Sequence, residues 1–338
     1  MTQPPVLVTL SRNGTAESCH RGHVAVWHHD GGLIGAWGDP EVTIFPRSSC
    51  KMMQALPLVE SGAADRFGLT ERQLALACAS HKGAAIHSDA VQAWLTNLDM
   101  TEADLRCGSQ LPDDPEAHRR LLQPGQCPDQ THNNCSGKHS GFLTLCKHLD
   151  AGPEYVEPDH AVQRAVKEAF EEVTQEASPG YGIDGCSAPN FLCSLAGLAR
   201  AMAHFASATD AGSGHGVRSA AMQRLTLAMM AHPEMVSGEG GACTELMRAM
   251  AGKAAVKTGA EGVYVAIIPS RRIGIALKIE DGASRGAQAV IAALLGQLDV
   301  LSKDAPIYQS VTQGPLRNRR NLVVGGIEIA ETLRTWRA

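Results

Sequence analysis

Two serines and two lysines in this 338-residue chain stand at spacings where one side chain could take a proton from another. In Ser48-Ser-Cys-Lys51 the hydroxyl and the amine lie three residues apart, which puts them on one face of a helix start. A lysine accepts a serine proton only when burial or a nearby cation keeps it neutral. Arg47 and the helix N-terminus add positive potential, which also favours an alkoxide or an oxyanion. Lys257-Thr-Gly259 is the second candidate, followed by Ala-Glu-Gly262 and two β-rich runs. A middle serine that relays protons between the two lysines would complete such a site. Ser80, in Ser80-His-Lys-Gly83, is the candidate, and Ser136, in Ser136-Gly-Lys138, is its competitor. Thiols cluster in two turn-rich stretches, Asn134-Cys135-Ser-Gly-Lys138-His139 and Asp184-Gly-Cys186. Two thiolates with a histidine, lysine or carboxylate can hold zinc if those loops meet; the bland reading is two ordinary buried cysteines.

The elements that must carry these residues follow from pattern. Apolar runs at 23–29 and 33–37 around Asp30-Gly31-Gly32 predict a β-hairpin, and 42–45 a short strand ending at Pro46. Helical periodicity covers 50–60, with a kink expected at Pro57, and 71–78 behind a Thr70 cap. It recurs at 88–98, 101–106, 116–122, 138–149, 159–172, 190–204, 217–231 and 242–250. The period then changes, with strands at 262–268 and 273–279 around Pro269-Ser-Arg-Arg272 and an amphipathic helix over 283–298. Strands at both ends and helices between them predict an α/β (α+β) fold. One antiparallel sheet is built from the N- and C-terminal strands, with helices packed on it and a helical middle. Residues 1–338 are expected to form a single domain with no internal repeat and no separable linker.

Composition excludes several classes. At 44% hydrophobic and 19% charged the chain can bury a core and is neither disordered nor fibrous. Thirty Lys and Arg against thirty-five Asp and Glu give a net charge of -5, so nucleic acid is not an expected partner. No apolar run reaches a membrane span and Met1-Thr-Gln-Pro-Pro-Val-Leu-Val carries no signal pattern, so a cytoplasmic protein without a membrane partner is expected. The ten cysteines are scattered without a Cys-x-x-Cys, which points to reduced thiols and away from a redox pair or a standard zinc ribbon. His28, His29, His148 and His215 read as surface or packing residues, and Met229-Met230 as core.

The order Ser-x-x-Lys then Lys-Thr-Gly is that of serine β-lactamases and penicillin-binding proteins, although Ser80 does not stand in their Ser-Asp-Asn. Further segments point elsewhere: Glu17-Ser-Cys-His-Arg-Gly22, Phe45-Pro-Arg-Ser-Ser-Cys-Lys51, Ala79-Ser-His-Lys-Gly83 and Asn133-Asn-Cys-Ser-Gly-Lys-His139. Tyr181-Gly-Ile-Asp-Gly-Cys-Ser-Ala-Pro189, His232-Pro-Glu-Met-Val-Ser-Gly238 and Lys257-Thr-Gly-Ala-Glu-Gly262 continue the series. Together they make the chain resemble the L-asparaginase II family, the class typified by inducible rhizobial asparaginases. The resemblance implies a serine-β-lactamase/glutaminase-like fold, a homodimer, and hydrolysis of L-asparagine to L-aspartate and ammonia. It pairs Ser48 with Lys51 and Ser80 with Lys257, one serine being the nucleophile. It sets zinc on Cys135, Lys138 and Cys186, with Asp184 close by, and Arg47, Asp184, His139 and Glu261 are expected to bind the substrate or to back the residues that do. That zinc is expected to be structural or to orient substrate, because serines and lysines already supply nucleophile and base. The alternatives are a glutaminase, a β-lactam or peptide amide hydrolase, a non-catalytic zinc or amino-acid sensor, and a thiol redox enzyme.

Overall fold

The computed structural model describes residues 3–210 and 216–337, so His215 lies outside the described residues. The chain opens with β1 (Val6–Arg12), β2 (Thr15–His28) and β3 (Gly32–Trp37), the last two forming the expected hairpin, with β2 beginning well before its apolar half. The short β4 (Thr43–Ile44) forms where a strand was expected but stays out of the main sheet. β5 (Tyr181–Ile183), β6 (Pro189–Phe191) and β7 (Cys193–Ser194) lie in the middle of the chain; β5 pairs β6, and β7 pairs β4. β8 (Ala255–Thr258), β9 (Val263–Ile268), β10 (Ile273–Ile279), β11 (Leu316–Arg317) and β12 (Val323–Ile329) complete the set. The main sheet runs β11-β12-β1-β2-β10-β9-β8, with β3 also on β2, and every pairing is antiparallel. A sheet built from both chain ends is therefore what forms.

All six residues of β9 are buried, as expected of a strand covered on both faces. The helices Leu195–Thr209 and Ser284–Gln297 pack on this central region. At Gly274 of β10 a Cβ would lie 2.2 Å from the Ala199 carbonyl oxygen, so only glycine lets that helix seat so closely. The core is one connected cluster from Leu7 to Leu333, and Met229 belongs to it. No helix among the described residues is long and apolar enough to cross a membrane.

Three expected helices come out differently. The 50–60 pattern breaks into a 3₁₀ turn, Arg47–Cys50, and two short helices, Lys51–Gln54 and Leu56–Glu60, meeting at Ala55. Pro57, which has no N–H for a continuous helix, stands just past the break. Residues 101–106 keep only the turn Glu102–Asp104, closed by a Thr101–Asp104 capping box. The helix read as 190–204 starts at Leu195, because the preceding residues form β6 and β7 and the Ser194 side chain caps the helix. Elsewhere Thr70 caps Glu71–Ala77, and Val217–Ala231 and Ala242–Met250 lie where periodicity put them.

Candidate active site

Six separate elements converge on one place. Ser48 lies in the 3₁₀ turn Arg47–Cys50, Lys51 begins the helix after it, and Ser80 follows the helix Glu71–Ala77. Lys257 lies on the edge strand β8, and Cys135 and Lys138 belong to the first turn of the helix Ser136–His148. Asp184 and Cys186 sit in the turn between β5 and β6. Glycine makes two of these approaches possible. A Cβ on Gly259 would lie 2.6 Å from the Pro46 carbonyl oxygen and 3.1 Å from the Ser49 nitrogen, so the end of β8 can touch the Ser48 turn only as glycine. A Cβ on Gly137 would lie 2.3 Å from the Leu76 carbonyl oxygen, at the seat of the Lys138 helix.

The two lysines meet on Ser80. Lys51 Nζ donates to Ser80 Oγ at 3.0 Å and Lys257 Nζ donates to it at 2.8 Å. Lys51 also donates to the Ala79 carbonyl and, at 3.5 Å, to that of Asn134; Lys257 donates to its neighbour Thr258 O at 2.8 Å. Both amines are buried, 1% and 0% exposed, in a place where an ammonium is costly. Burial, and after it the charge of Lys51, brings Lys257 down to about 8. The Ser80 hydroxyl thus lies within hydrogen-bond reach of both amines. The Ser48 hydroxyl, half-buried, has no hydrogen bond among the described residues, so it is not tied to Lys51 in this structure. Arg47, directly before it, holds a left-handed backbone (φ 53°), a strained conformation for a residue with a side chain.

The thiol loops meet as well. Lys138 Nζ donates to Cys186 Sγ at 3.1 Å, and the Cys135 sulfur, beside Cys186, lies 3.0 Å from Asn134 Oδ1. The hydrogen bond from Cys135 holds Cys186 well below the ordinary thiol range, against the cost of burial, and it raises Cys135. Burial pulls Lys138 down, but the charges of Cys186 and Cys135 outweigh it and hold the amine above its usual value. The result is two sulfurs and an amine in a closed space. No three His, Cys, Asp or Glu come together as a metal site among the described residues. Two sulfurs and an amine suit a borderline-soft ion such as zinc, which would displace the thiol and ammonium protons. All ten cysteines are free.

Around these groups, Arg47 donates to Asp184 Oδ1 through Nε and Nη2 at 3.2 and 2.8 Å, and its backbone N–H donates to Asn190 Oδ1 at 3.1 Å. Burial opposes charge on Asp184, yet the Arg47 hydrogen bond keeps it below the usual carboxylate range. Glu261 is exposed in the turn after Gly259, with φ 59°, and its charge reaches Arg47. His139 is fully buried, held by Tyr155 through Nδ1 at 2.9 Å, with Nε2 unpartnered. Cys50 is buried, donates to Arg47 O at 3.1 Å and is pushed up to about 12, chiefly by burial. Sequence reasoning missed Asn190, which fixes the Arg47 backbone, and the carbonyls of Ala79, Asn134 and Thr258 that hold the lysines. A backbone acceptor leaves no mark in residue types. A separate cleft of 470 Å³, lined by Lys82, Asp114, Asp129 and Glu239 among others, lies beyond Ser80 and includes none of the residues that meet on it.

Residues 8–329 match the family described as L-asparaginase II. The chain belongs to that family. It is a family of amidohydrolases, and the match takes in all of the Ser48, Ser80, Cys135, Cys186 and Lys257 segments. No curated protein matches the chain. Among solved structures the chain is similar to Mglu in its native form, at 16% identity over 85% of this chain and 66% of that one, with a TM-score of 0.48. It is also similar to a β-lactamase from Mycobacterium bovis (11% identity, 86% and 93% of the two chains, TM-score 0.43). A third is the octameric penicillin-binding protein homologue from Pyrococcus abyssi (13% identity, 81% and 73%, TM-score 0.33). The chain spans 60% to 66% of the length of Mglu in three structures of that protein.

Proposed function

We propose that this chain hydrolyses the side-chain amide of L-asparagine to L-aspartate and ammonia, with Ser48 as nucleophile and Ser80 as proton carrier. The observation that carries the reading is the convergence of the two buried lysines, Lys51 and Lys257, on the Ser80 hydroxyl. Family membership supports an amidohydrolase. A serine that already accepts from two amines is suited to pass protons, and the untied Ser48 is suited to attack.

In the first half-reaction Ser48 Oγ bonds to the amide carbon while its proton passes through Ser80 to neutral Lys257. The tetrahedral oxyanion collapses, the C–N bond breaks, and the proton returns by the same route to the departing nitrogen, which leaves as ammonia. In the second half, water adds to the aspartyl ester and gives its proton to the relay, the bond between the acyl carbon and Ser48 Oγ breaks, the relay returns the proton to Ser48 Oγ, and L-aspartate is released. Lys51, held by two carbonyls, keeps Ser80 in register and places positive charge near the developing oxyanion. Arg47 and Asp184 form a charge pair complementary to the α-carboxylate and α-ammonium of an amino acid, with Glu261 adding negative charge at the rim. His139, one residue beyond Lys138, supports the donor set from behind. Cys135, Lys138 and Cys186 would hold zinc, which when bound adds positive charge and pins the two loops together. The family resemblance supports a homodimer, which light scattering of the purified protein checks.

Ammonia release from L-asparagine and from L-glutamine, by the wild-type chain and by Ser48→Ala, tests the reading. Release from asparagine that disappears in the variant supports it. Equal release from glutamine moves the assignment to a glutaminase, and release from neither amide removes it.

A further inference from the structure

His81 follows Ser80 directly, and its ring is held by groups other than the lysines. Its Nδ1 accepts the Gly83 backbone N–H at 3.1 Å, so the ring proton sits on Nε2. Nε2 lies 2.9 Å from Ser136 Oγ and donates to it, and that hydroxyl donates onward to Thr131 O at 2.9 Å. Ser136 is the first residue of the helix that carries Lys138, and it directly follows Cys135. The His81 backbone N–H also donates to Asn134 O at 3.2 Å, the carbonyl that Lys51 reaches at 3.5 Å. On its other side the imidazole stacks on His87, with ring centroids 4.7 Å apart and planes within 6°. His87 in turn lies 2.9 Å from Glu234 O through Nε2, and the Ser80 N–H donates to Val236 O at 2.9 Å. His81 is 2% exposed, so no solvent competes for these bonds.

The ring is thus the side-chain tie between the Ser80 turn and the first turn of the helix bearing two of the three zinc donors. From this geometry we infer that His81 is a positioning residue that couples the donor set Cys135, Lys138 and Cys186 to the alignment of Ser80 between Lys51 and Lys257. The inference rests on the reading of Ser80 and of the zinc donors given above. A hydrogen-bonded group behind a metal site typically changes affinity by about 10- to 100-fold when removed, because it fixes ligand orientation. Here the same bond also fixes the turn that carries the relay hydroxyl, so one substitution should move both properties.

Three variants test it: His81→Phe, which keeps a ring against His87 and loses both ring hydrogen bonds; Ser136→Ala, which removes only the accepting hydroxyl; and His81→Gln, which keeps an N–H near the Nε2 position. Metal-stripped protein is titrated with zinc alone, and kcat and KM for L-asparagine are measured separately. The expected result is zinc binding weaker by about 10- to 100-fold in His81→Phe and Ser136→Ala, kcat lower by a similar factor, and KM within about threefold. The double variant should be no worse than the worse single one, and His81→Gln should recover part of both losses. Ser136→Ala with wild-type zinc affinity and kcat overturns the coupling, whatever His81→Phe does to folding. So do single effects that multiply in the double variant, and so does a wild-type chain that binds no zinc. Absence of ammonia release by the wild-type chain instead overturns the amidase reading, and the zinc titration then decides the coupling by itself.

Discussion

If Lys257 is the base that receives the serine proton, the rate must follow its neutral fraction. Burial and the nearby Lys51 bring it from 10.5 to about 8. With a midpoint of 8, the neutral fraction rises from about 9% at pH 7 to about 91% at pH 9, roughly tenfold, and then levels off. An unperturbed lysine at 10.5 would instead give a rise of about a hundredfold over the same interval, still climbing at pH 9. The assay is the initial rate of ammonia release at sub-saturating L-asparagine, so that kcat/KM reports the free enzyme. Lys257→Arg keeps the charge but cannot lose it in this range. Its kcat/KM should fall by about 10²- to 10⁴-fold and show no ascending limb between pH 7 and 9. A wild-type limb that climbs tenfold per pH unit past pH 9, or a Lys257→Arg enzyme that retains the wild-type limb, refutes the assignment of the base.

Other consequences follow from the packing. Gly259→Ala pushes a Cβ into the Pro46 carbonyl and the Ser49 nitrogen, so it should displace the Ser48 turn and lower kcat at least about tenfold; a wild-type kcat would show that the contact does not set the turn. Gly137→Ala meets the Leu76 carbonyl and should destabilise the fold by about 1 to 3 kcal/mol in urea denaturation, and an unchanged midpoint contradicts that. Burial, with His29 and Arg200 nearby, lowers His204 to about 4, so the folded protein keeps it neutral while the unfolded chain takes up a proton below about 6.5. Stability from this group is therefore lost as pH falls from 6.5 to 4, and His204→Phe should flatten thermal unfolding across that window; an unchanged pH slope rules His204 out as a source of it.

Much of the site was legible because it is local. Ser48 and Lys51 share a turn, Lys257 and Gly259 a strand end, and Cys135 and Lys138 a helix start, so type and spacing alone brought each pair forward. The contacts that turn these pairs into one site are not local. Lys257 reaches Ser80 across 177 positions and Arg47 reaches Asp184 across 137, and no spacing encodes either. The expected Ser48–Lys51 hydrogen bond is absent among the described residues, because Lys51 turns to Ser80 and two carbonyls instead. His81 stood inside a quoted segment, but only the fold shows that its ring faces Ser136. The same division holds for the fold. The hairpin of β2 and β3 and the long middle helices follow from turn residues and period, whereas β1, β5 to β8, β11 and β12 were missed. β1 and β12 form a strand ladder between the two chain ends, and Gly325-Gly326 breaks the alternation in β12 that would have marked it. Residues 190–194 satisfied a helical pattern, yet their backbone bonds go to β5 and β4.

The most direct test of the account is to quench the enzyme during turnover of L-asparagine and map the covalent adduct by peptide mass spectrometry. An aspartyl ester on Ser48 in the wild-type enzyme, and none in Ser80→Ala, whose missing relay blocks its formation, is the predicted result. An adduct on Ser80 in the wild-type enzyme, or turnover with no serine adduct in either protein, contradicts the roles assigned to the two hydroxyls.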